Sequence, residues 1–175
     1  MLSNRFLHLF IFLNFAGLSA ATIPVRQVSL RAVTNREQRP VIRVSRLSRP
    51  PTLADFKDMK PNPEIARQMT RLEGFIQWIP SDGKSASQKT EAYLGYDGEH
   101  LYAVYLCFDD SPGKIRARLS RREDIFRDDR VDLFLDTFDD QRRAYVFTAN
   151  PFGVQADAYW IEKEGRQYDP SIDMV

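Results

Sequence analysis

The stretch from Asp128 to Asp140 concentrates the side chains of this chain that could do chemistry. Six aspartates lie there among apolar residues that alternate as in a strand. Carboxylates in this number can catalyse glycoside hydrolysis, coordinate calcium, or hydrogen-bond the hydroxyl groups of a sugar. They can equally be polar strand and turn residues without a ligand. We expect most of them to occupy the surface of strands and turns.

Catalysis finds little support in the residue types. A serine or cysteine nucleophile needs a neighbouring base, usually a histidine. Outside the first 21 residues the one histidine is His100, which adjoins an Asp-Gly turn. Glycoside hydrolysis needs only two carboxylates, but no motif singles out a pair. We therefore predict no catalytic residue in this chain, and any hydrolase activity on O-glycosyl bonds would belong to the complete protein.

Calcium is an alternative role for the acids at the ends of predicted strands. Calcium takes roughly six to eight oxygen ligands, which aspartate-rich loops can supply. Asp109 and Asp110 follow one predicted strand, and Asp128 and Asp129 precede another. These four residues are the candidate metal ligands, although no EF-hand spacing is present.

Sugar binding needs aromatic rings that stack on the apolar face of a pyranose and polar side chains that hydrogen-bond its hydroxyl groups. Trp78 and Trp160 are the broad rings available. The hydrogen-bonding candidates are Asn150, Gln155, Asp157 and Arg116. The competing interpretation is that both tryptophans cover the core, because tryptophan is usually well buried.

The N-terminus has the pattern of an export signal. A basic start at Arg5 precedes an apolar run and then the small residues Ser19, Ala20 and Ala21. The apolar run is shorter than the roughly 20 residues of a membrane-spanning helix. We predict a signal peptide over residues 1–21, cleaved after Ala21, and hence an exported protein.

Charge is distributed unevenly, although the formal net charge is only +1. Residues 22–50 carry seven arginines and one glutamate, whereas residues 51–175 sum to −6. An acidic folded region lacks the basic stripe that neutralises phosphates, so we expect no nucleic-acid partner. Residues 22–39 are predicted to be an arginine-rich lead-in, and the folded domain to span residues 40–175.

Turn signals and alternating apolar residues predict many short strands and almost no helix. The strongest signal is a hairpin around Asp97-Gly98, whose second strand is apolar on both faces and should therefore be central. One short helix is expected after Asn62 as N-cap. Further strands are predicted at 41–47, 72–78, 114–120, 130–138, 144–150 and 154–160. This pattern predicts an all-β fold, an antiparallel β-sandwich.

The segment from Thr90 to Trp160 contains three pieces of sequence in a specific order. They are T-x-A-Y-L-G-Y-D with L-Y-A-V-Y, then DD-R-V-D-L-F-L-D-T-F-D-D, then N-P-F-G-V-Q-A-D. Together with FIQWIPSDGKSAS, they resemble the carbohydrate-binding modules of family 9 and the DOMON-like domains, over roughly residues 50–175. The resemblance is greatest to a bacterial subgroup in which the domain follows a signal peptide and precedes a region resembling an outer-membrane β-barrel.

The resemblance implies a β-sandwich that binds oligo- or polysaccharide without cleaving it, in carbohydrate catabolism and in association with glycosyl hydrolases. Family 9 sites stack tryptophans on the sugar. Trp160 is thus the first stacking candidate, with Gln155 and Asp157 beside it and Trp78 where a partner ring would lie.

The chain stops at YDPSIDMV without an obvious closing strand, so we expect a sandwich truncated at its C-terminus. The resemblance also implies a C-terminal region that attaches the protein to the outer membrane. The location would be periplasmic, at the cell surface or associated with the outer membrane. The alternative is a structural or protein-interaction domain of an outer-membrane protein that does not bind sugar.

Overall fold

The structure, a computed structural model, describes residues 6–11, 28–29 and 41–167. The chain divides into two compact units. The N-terminal unit is Ser19–Asp110, and the C-terminal unit is Ser111–Val175 together with Met1–Leu18. The described residues are mostly in two β-sheets with little helix, which confirms the all-β prediction.

The described residues contain ten strands and one α-helix, with 3-10 turns over Leu53–Met59 and Pro112–Lys114. In chain order the elements are β1 (Phe6–Ile11), β2 (Val28–Ser29), β3 (Ser45–Arg46), α1 (Pro63–Gln68), β4 (Thr70–Glu73), β5 (Thr90–Tyr96), β6 (Leu101–Cys107), β7 (Arg130–Leu135), β8 (Arg143–Ala149), β9 (Gln155–Ile161) and β10 (Gly165–Gln167). The predicted cleavage site and most of the predicted lead-in lie outside the described residues.

Strand β5 is the centre of the sheet in the N-terminal unit. It pairs antiparallel with β4 and β6 and parallel with β3, and β2 adds a parallel pair to β4. The predicted hairpin is confirmed: the Asp97 carboxylate accepts hydrogen bonds from Glu99 N and His100 N, both at 2.8 Å. The central place predicted for β6 is wrong, because among the named strands β6 pairs only with β5. The strand is also only partly buried, since Leu106 is its one buried residue.

The apolar core of the N-terminal unit gathers around β5. Its buried residues are Leu47, Phe56, Ile65, Met69, Tyr93 and Leu106. Helix α1 supplies Ile65 and begins as predicted, since the Asn62 side chain accepts a hydrogen bond from Glu64 N at 2.9 Å. Gly95 lies so close to Leu47 that an added Cβ would stand 2.7 Å from the leucine side chain. Leu47 therefore packs where β5 has no side chain.

Three predicted strands are shorter than expected or absent. Only Ser45–Arg46 of the 41–47 run pairs as a strand. Strand β4 ends at Glu73, because Gly74 takes a positive φ of 78° and turns the chain. Residues 115–120 form no strand; Arg118 N, for example, donates to the Asp128 carboxylate instead of to a neighbouring strand.

The sheet of the C-terminal unit has the order β1-β7-β8-β9-β10. Strand β1 runs parallel to β7 and pairs with all six of its residues, whereas the other pairs are antiparallel. The strands predicted at 130–138, 144–150 and 154–160 are confirmed in position, with β7 ending at Leu135. The turn between β8 and β9 uses Gly153 at a φ of +76°.

The registers divide the side chains of this second sheet between two faces. We call one the ion-pair face; its members are Asp132, Phe134, Val146, Thr148, Ala158, Trp160 and Arg166. We call the opposite one the tyrosine face; its members are Leu133, Tyr145, Phe147, Gln155, Asp157 and Tyr159. Successive residues of a strand alternate between the two faces.

Candidate functional site

Asp132 is a buried charge of the ion-pair face and not a surface residue. Its side chain is only 1% exposed. One carboxylate oxygen accepts a hydrogen bond from Thr148 Oγ1 at 2.6 Å, and the other is 2.7 Å from Arg166 Nη2. Arg130 Nε lies 3.4 Å from the same carboxylate. Asp132 therefore joins three strands.

The expectation that most of the clustered aspartates lie on the surface is wrong for three of them. Asp128, Asp132 and Asp136 are buried. Asp136 accepts hydrogen bonds from Phe138 N at 3.0 Å and Gln141 N at 2.7 Å, and so shapes the turn between β7 and β8. Asp139 and Asp140 do lie in that turn, as expected.

Asn150 is a structural residue, in contrast to its predicted role in sugar binding. It is buried, and its Nδ2 donates to Arg118 O at 2.9 Å and to the Asp128 carboxylate at 3.0 Å. Its Oδ1 accepts from Phe152 N and Val154 N, both at 3.0 Å. Both the nitrogen and the oxygen of this side-chain amide are hydrogen-bonded within the protein. These bonds close the turn between β8 and β9 and hold the segment before β7.

The predicted calcium ligands do not form a metal cluster among the described residues. Asp109 and Asp110 belong to the N-terminal unit, and Asp128 and Asp129 to the C-terminal unit. The described residues contain no group of three or more acids, histidines or cysteines that could hold a metal ion. Asp128 and Asp129 accept hydrogen bonds from backbone nitrogens, Asp129 from Arg116 N at 2.9 Å. Both carboxylates hold the loop before β7.

Burial and hydrogen bonding have opposite effects on the pKa of the Asp128 carboxyl. Burial by itself raises the pKa of this carboxyl. Hydrogen bonds from Asn150 and Arg118 outweigh it, so the pKa lies below its ordinary value. Arg118 Nε stands 3.1 Å from the carboxylate. Asp128 is thus ionised and neutralised within the fold.

Trp160 and its predicted neighbours lie on opposite faces of β9. Trp160 packs on the ion-pair face against a cluster formed by Phe134, Ala144, Val146 and Ala158. Gln155 and Asp157 belong to the tyrosine face, and Asp157 is buried with its carboxylate 2.6 Å from Arg122 Nη2. The predicted grouping of these residues around Trp160 is therefore wrong, because odd and even positions of a strand point apart.

Three aromatic rings form a group on the tyrosine face. Tyr145 and Tyr159 are opposite each other on β8 and β9, with ring centroids 5.4 Å apart. Phe138, from the turn before β8, stacks on Tyr145 at 6.1 Å and meets Tyr159 edge-on at 6.4 Å. The tyrosines are half-buried, and Phe138 is 45% exposed. These three rings are therefore only partly covered by the protein.

A fixed guanidinium borders this ring group. Arg143 lies 4.3 Å from the centroid of Phe138, and its Nε is 2.7 Å from the Asp140 carboxylate. The pKa of Arg143 is raised, chiefly by its hydrogen bond to Asp140. The pKa of Asp140 is lowered, first by the hydrogen bond from Arg142 N and then by Arg143. The cation is therefore held in one place before any ligand arrives.

Gln155 extends the tyrosine face along β9. It lies four residues from Tyr159, about 13 Å at the strand rise of roughly 3.3 Å per residue. Its half-buried side-chain amide has no hydrogen-bond partner among the described residues. Between Gln155 and Tyr159 lie Phe147 and the ion pair of Asp157 with Arg122. The strip alternates rings with polar groups over more than the length of one sugar ring.

Trp78 lies in the N-terminal unit, in a loop whose indole is 67% exposed. We call residues 75–86 the tryptophan loop. The two predicted stacking tryptophans therefore differ: Trp78 is open to solvent, and Trp160 is packed against the core of another unit. Arg116, the remaining predicted sugar contact, is an exposed residue of the loop before β7.

Comparison with protein-family models, with curated proteins and with solved structures gives no match to this chain. Within the part of the chain that the structure describes, no helix is long and apolar enough to cross a membrane.

The group of Phe138, Tyr145 and Tyr159 was not predicted, because tryptophan offers the broadest ring for stacking on a sugar. Alternation along β8 and β9 was the available signal. Tyr145 and Tyr159 occupy odd positions, as Gln155 and Asp157 do, whereas most small residues of these strands occupy even positions and therefore point to the other face. Phe138 could not have been added, because its place beside them depends on how the turn folds over the sheet.

Proposed function

We propose that this chain is a non-catalytic carbohydrate-binding domain and that its sugar site is the tyrosine face. The observation that carries the proposal is the half-exposed ring group of Phe138, Tyr145 and Tyr159 beside the fixed Arg143. Aromatic faces suit the apolar faces of pyranose rings, and phenolic hydroxyl, guanidinium and amide groups suit their hydroxyl groups.

Binding without cleavage is supported by the charge state of the acids. A general acid at neutral pH needs a raised pKa. Among the described acids, every one with a clearly shifted pKa is shifted downwards: Asp55, Glu91, Asp97, Asp128 and Asp140. Asp157, the acid on the tyrosine face, is paired with Arg122. These carboxylates serve the fold.

The finer fold type belongs to the same proposal. Two five-stranded sheets that mix antiparallel and parallel pairs are the elements of the proposed β-sandwich of the family 9 or DOMON-like type. The proposed setting is an exported protein, periplasmic, at the cell surface or associated with the outer membrane, that takes part in carbohydrate catabolism. Oligo- or polysaccharide is the proposed partner.

Calorimetric titration with a panel of soluble oligosaccharides tests the sugar site. We expect Tyr159→Ala to lower the affinity for the bound sugar about tenfold, which equals roughly 1.4 kcal/mol, because one stacking ring and its hydroxyl group are removed. Trp160→Phe is the matched control, because it changes the neighbouring residue on the opposite face. Titrations with calcium and with a chelator show whether binding depends on that ion.

Two results would overturn the proposed site. The first is an equal loss of affinity in Tyr159→Ala and Trp160→Phe, which would indicate a general effect on folding. The second is the absence of heat with every sugar from a folded sample. That result would favour the alternative, a structural or protein-interaction domain of an outer-membrane protein.

A further inference from the structure

The tryptophan loop is held in one conformation by its own hydrogen bonds. Ile76 and Ser85 form an antiparallel bridge, and the Gln77 side chain donates to Ser85 O at 2.9 Å. Backbone bonds run from Gln77 N to Lys84 O, from Gly83 N to Gln77 O, from Lys84 N to Ser81 O and from Ala86 N to Phe75 O. Phe75 is buried and anchors the loop in its unit. Binding through the exposed residues of this loop therefore loses little conformational entropy, because the loop is already ordered.

Three exposed side chains of this loop are apolar, and two of them, Trp78 and Ile79, are consecutive in the chain; the charged Asp82 and Lys84 are exposed as well. Trp78 and Ile79 are each 67% exposed, and Ile76 is also exposed. Most exposed apolar residues of a soluble surface occur singly. Ile79 offers no flat ring to a sugar, so stacking on a pyranose uses only part of this surface. An indole next to aliphatic side chains is the combination that places a polar N–H near lipid headgroups and apolar atoms among acyl chains.

The net charge of the loop also suits a lipid interface. Between Phe75 and Ala86 there is one acid, Asp82, and one base, Lys84, so the loop is neutral. A neutral apolar surface is suited to zwitterionic lipid and does not need anionic headgroups.

We propose that the tryptophan loop inserts Trp78 and Ile79 into the interface of a phospholipid bilayer, as a peripheral contact of the N-terminal unit. This contact is independent of the sugar site, which lies in the other unit. A single loop with two or three apolar side chains gives weak, reversible binding. The loop therefore adds to any other attachment and does not replace one.

Fluorescence of the full chain with phosphatidylcholine vesicles tests the proposal. The chain has two tryptophans, so Trp160→Phe leaves Trp78 as the only indole. The predicted signal peptide, residues 1–21, contains no tryptophan, so the emission reports on the surroundings of Trp78 itself. We expect the emission of Trp78 to shift to shorter wavelength on addition of vesicles and to be quenched by brominated acyl chains, with little dependence on salt.

Sedimentation with the same vesicles gives a second readout that does not need the Trp160 substitution. We expect Ile79→Asp to lower the partition coefficient about tenfold, because a charge now has to enter the interface. Leu53→Asp is the matched control: Leu53 is 94% exposed in the same unit but lies outside the loop, so its replacement should leave partitioning unchanged. Both variants change exposed residues, so folding is not at risk.

Several results would overturn the proposal. An unchanged Trp78 emission with vesicles would do so, as would equal losses in Ile79→Asp and Leu53→Asp. Binding only to vesicles that contain phosphatidylglycerol would point to the arginine-rich lead-in instead. A shift of Trp78 emission by oligosaccharide or by insoluble polysaccharide, but not by vesicles, would make the loop a sugar contact. If the protein dimerises at higher concentration and Ile79→Asp abolishes this dimerisation, the tryptophan loop is a contact between two copies of the chain.

Discussion

The two units of this protein bury charge in different ways. Among the described residues the N-terminal unit buries two acids, Asp55 and Glu91, beside an otherwise apolar core, whereas the C-terminal unit buries four, Asp128, Asp132, Asp136 and Asp157. In the C-terminal unit the acids join strands and loops that are distant in sequence, such as Asp132 with Arg166. The acids that suggest a site in the sequence thus hold strands and loops together, and the proposed sugar surface consists of aromatic rings instead.

Glu91 is the counterpart of Asp132 in the N-terminal unit. Its carboxylate is 2.6 Å from both Arg71 Nη2 and Lys89 Nζ, and it accepts a hydrogen bond from Tyr93 OH at 2.7 Å. Burial raises the pKa of this carboxyl, but the three donors outweigh burial and lower it to about 2. All three donors lie on β4, on β5 or next to it, so Glu91 stabilises the sheet locally.

The largest expected effect is that of removing the Asp132 carboxylate. Asp132→Ala leaves the Arg166 charge without its buried partner, and breaking a buried ion pair in this way costs about 3–5 kcal/mol. Chemical denaturation should show this loss of unfolding free energy. Glu162→Ala, an exposed acid of the same unit, is the control and should stay within about 0.5 kcal/mol of the parent. Similar values for both variants would show that the ion-pair face does not hold the C-terminal unit together.

A smaller effect is expected in the apolar core of the N-terminal unit. Gly95→Ala places a methyl group 2.7 Å from Leu47, which must shift within a packed core. Overpacking of this kind costs about 1–3 kcal/mol. Gly98→Ala in the same hairpin meets only the end of the Arg46 side chain, at 4.0 Å, and should be close to neutral. Equal melting temperatures of the two variants would contradict the close packing of Leu47 on β5.

The acid dependence of stability should reveal the contribution of the ionised Glu91 carboxylate. Its pKa is lowered from 4.5 to about 2 on folding, so its contribution is present above pH 4.5 and is lost as the pH falls from there towards 2. Glu91→Gln removes this titration. We expect the variant to be less stable than the parent at neutral pH and its stability to change less between these two pH values. Parallel stability curves for the two proteins would disprove the proposed ionisation of buried Glu91.

Much of the local structure was predictable because it depends on neighbouring residues. The Asp97-Gly98 hairpin, the Asn62 cap of α1 and the positions of β7, β8 and β9 follow from turn chemistry and alternation. Predictions failed where a distant group competes for the backbone. Arg118 N bonds to Asp128 and not to a neighbouring strand, so the run 114–120 is no strand.

Two of the predicted sugar contacts are engaged within the fold for a related reason. Asn150 and Asp157 have the chemistry of sugar ligands, but Asp128 and Arg122 already use their hydrogen-bonding groups. Composition shows which groups can donate and accept; it does not show which are already satisfied. Trp160 could have been separated from Gln155 by alternation along β9 alone.

The sequence by itself determined the all-β class, the main hairpin and the alternation that divides β7, β8 and β9 into two faces, because these depend on contacts between near neighbours. Only the tertiary structure decided which aspartates are buried, that Phe138 joins Tyr145 and Tyr159, and that Trp78 is exposed while Trp160 is packed. Burial and pairing depend on residues far apart in the chain, and their positions are fixed only when the sheets have formed.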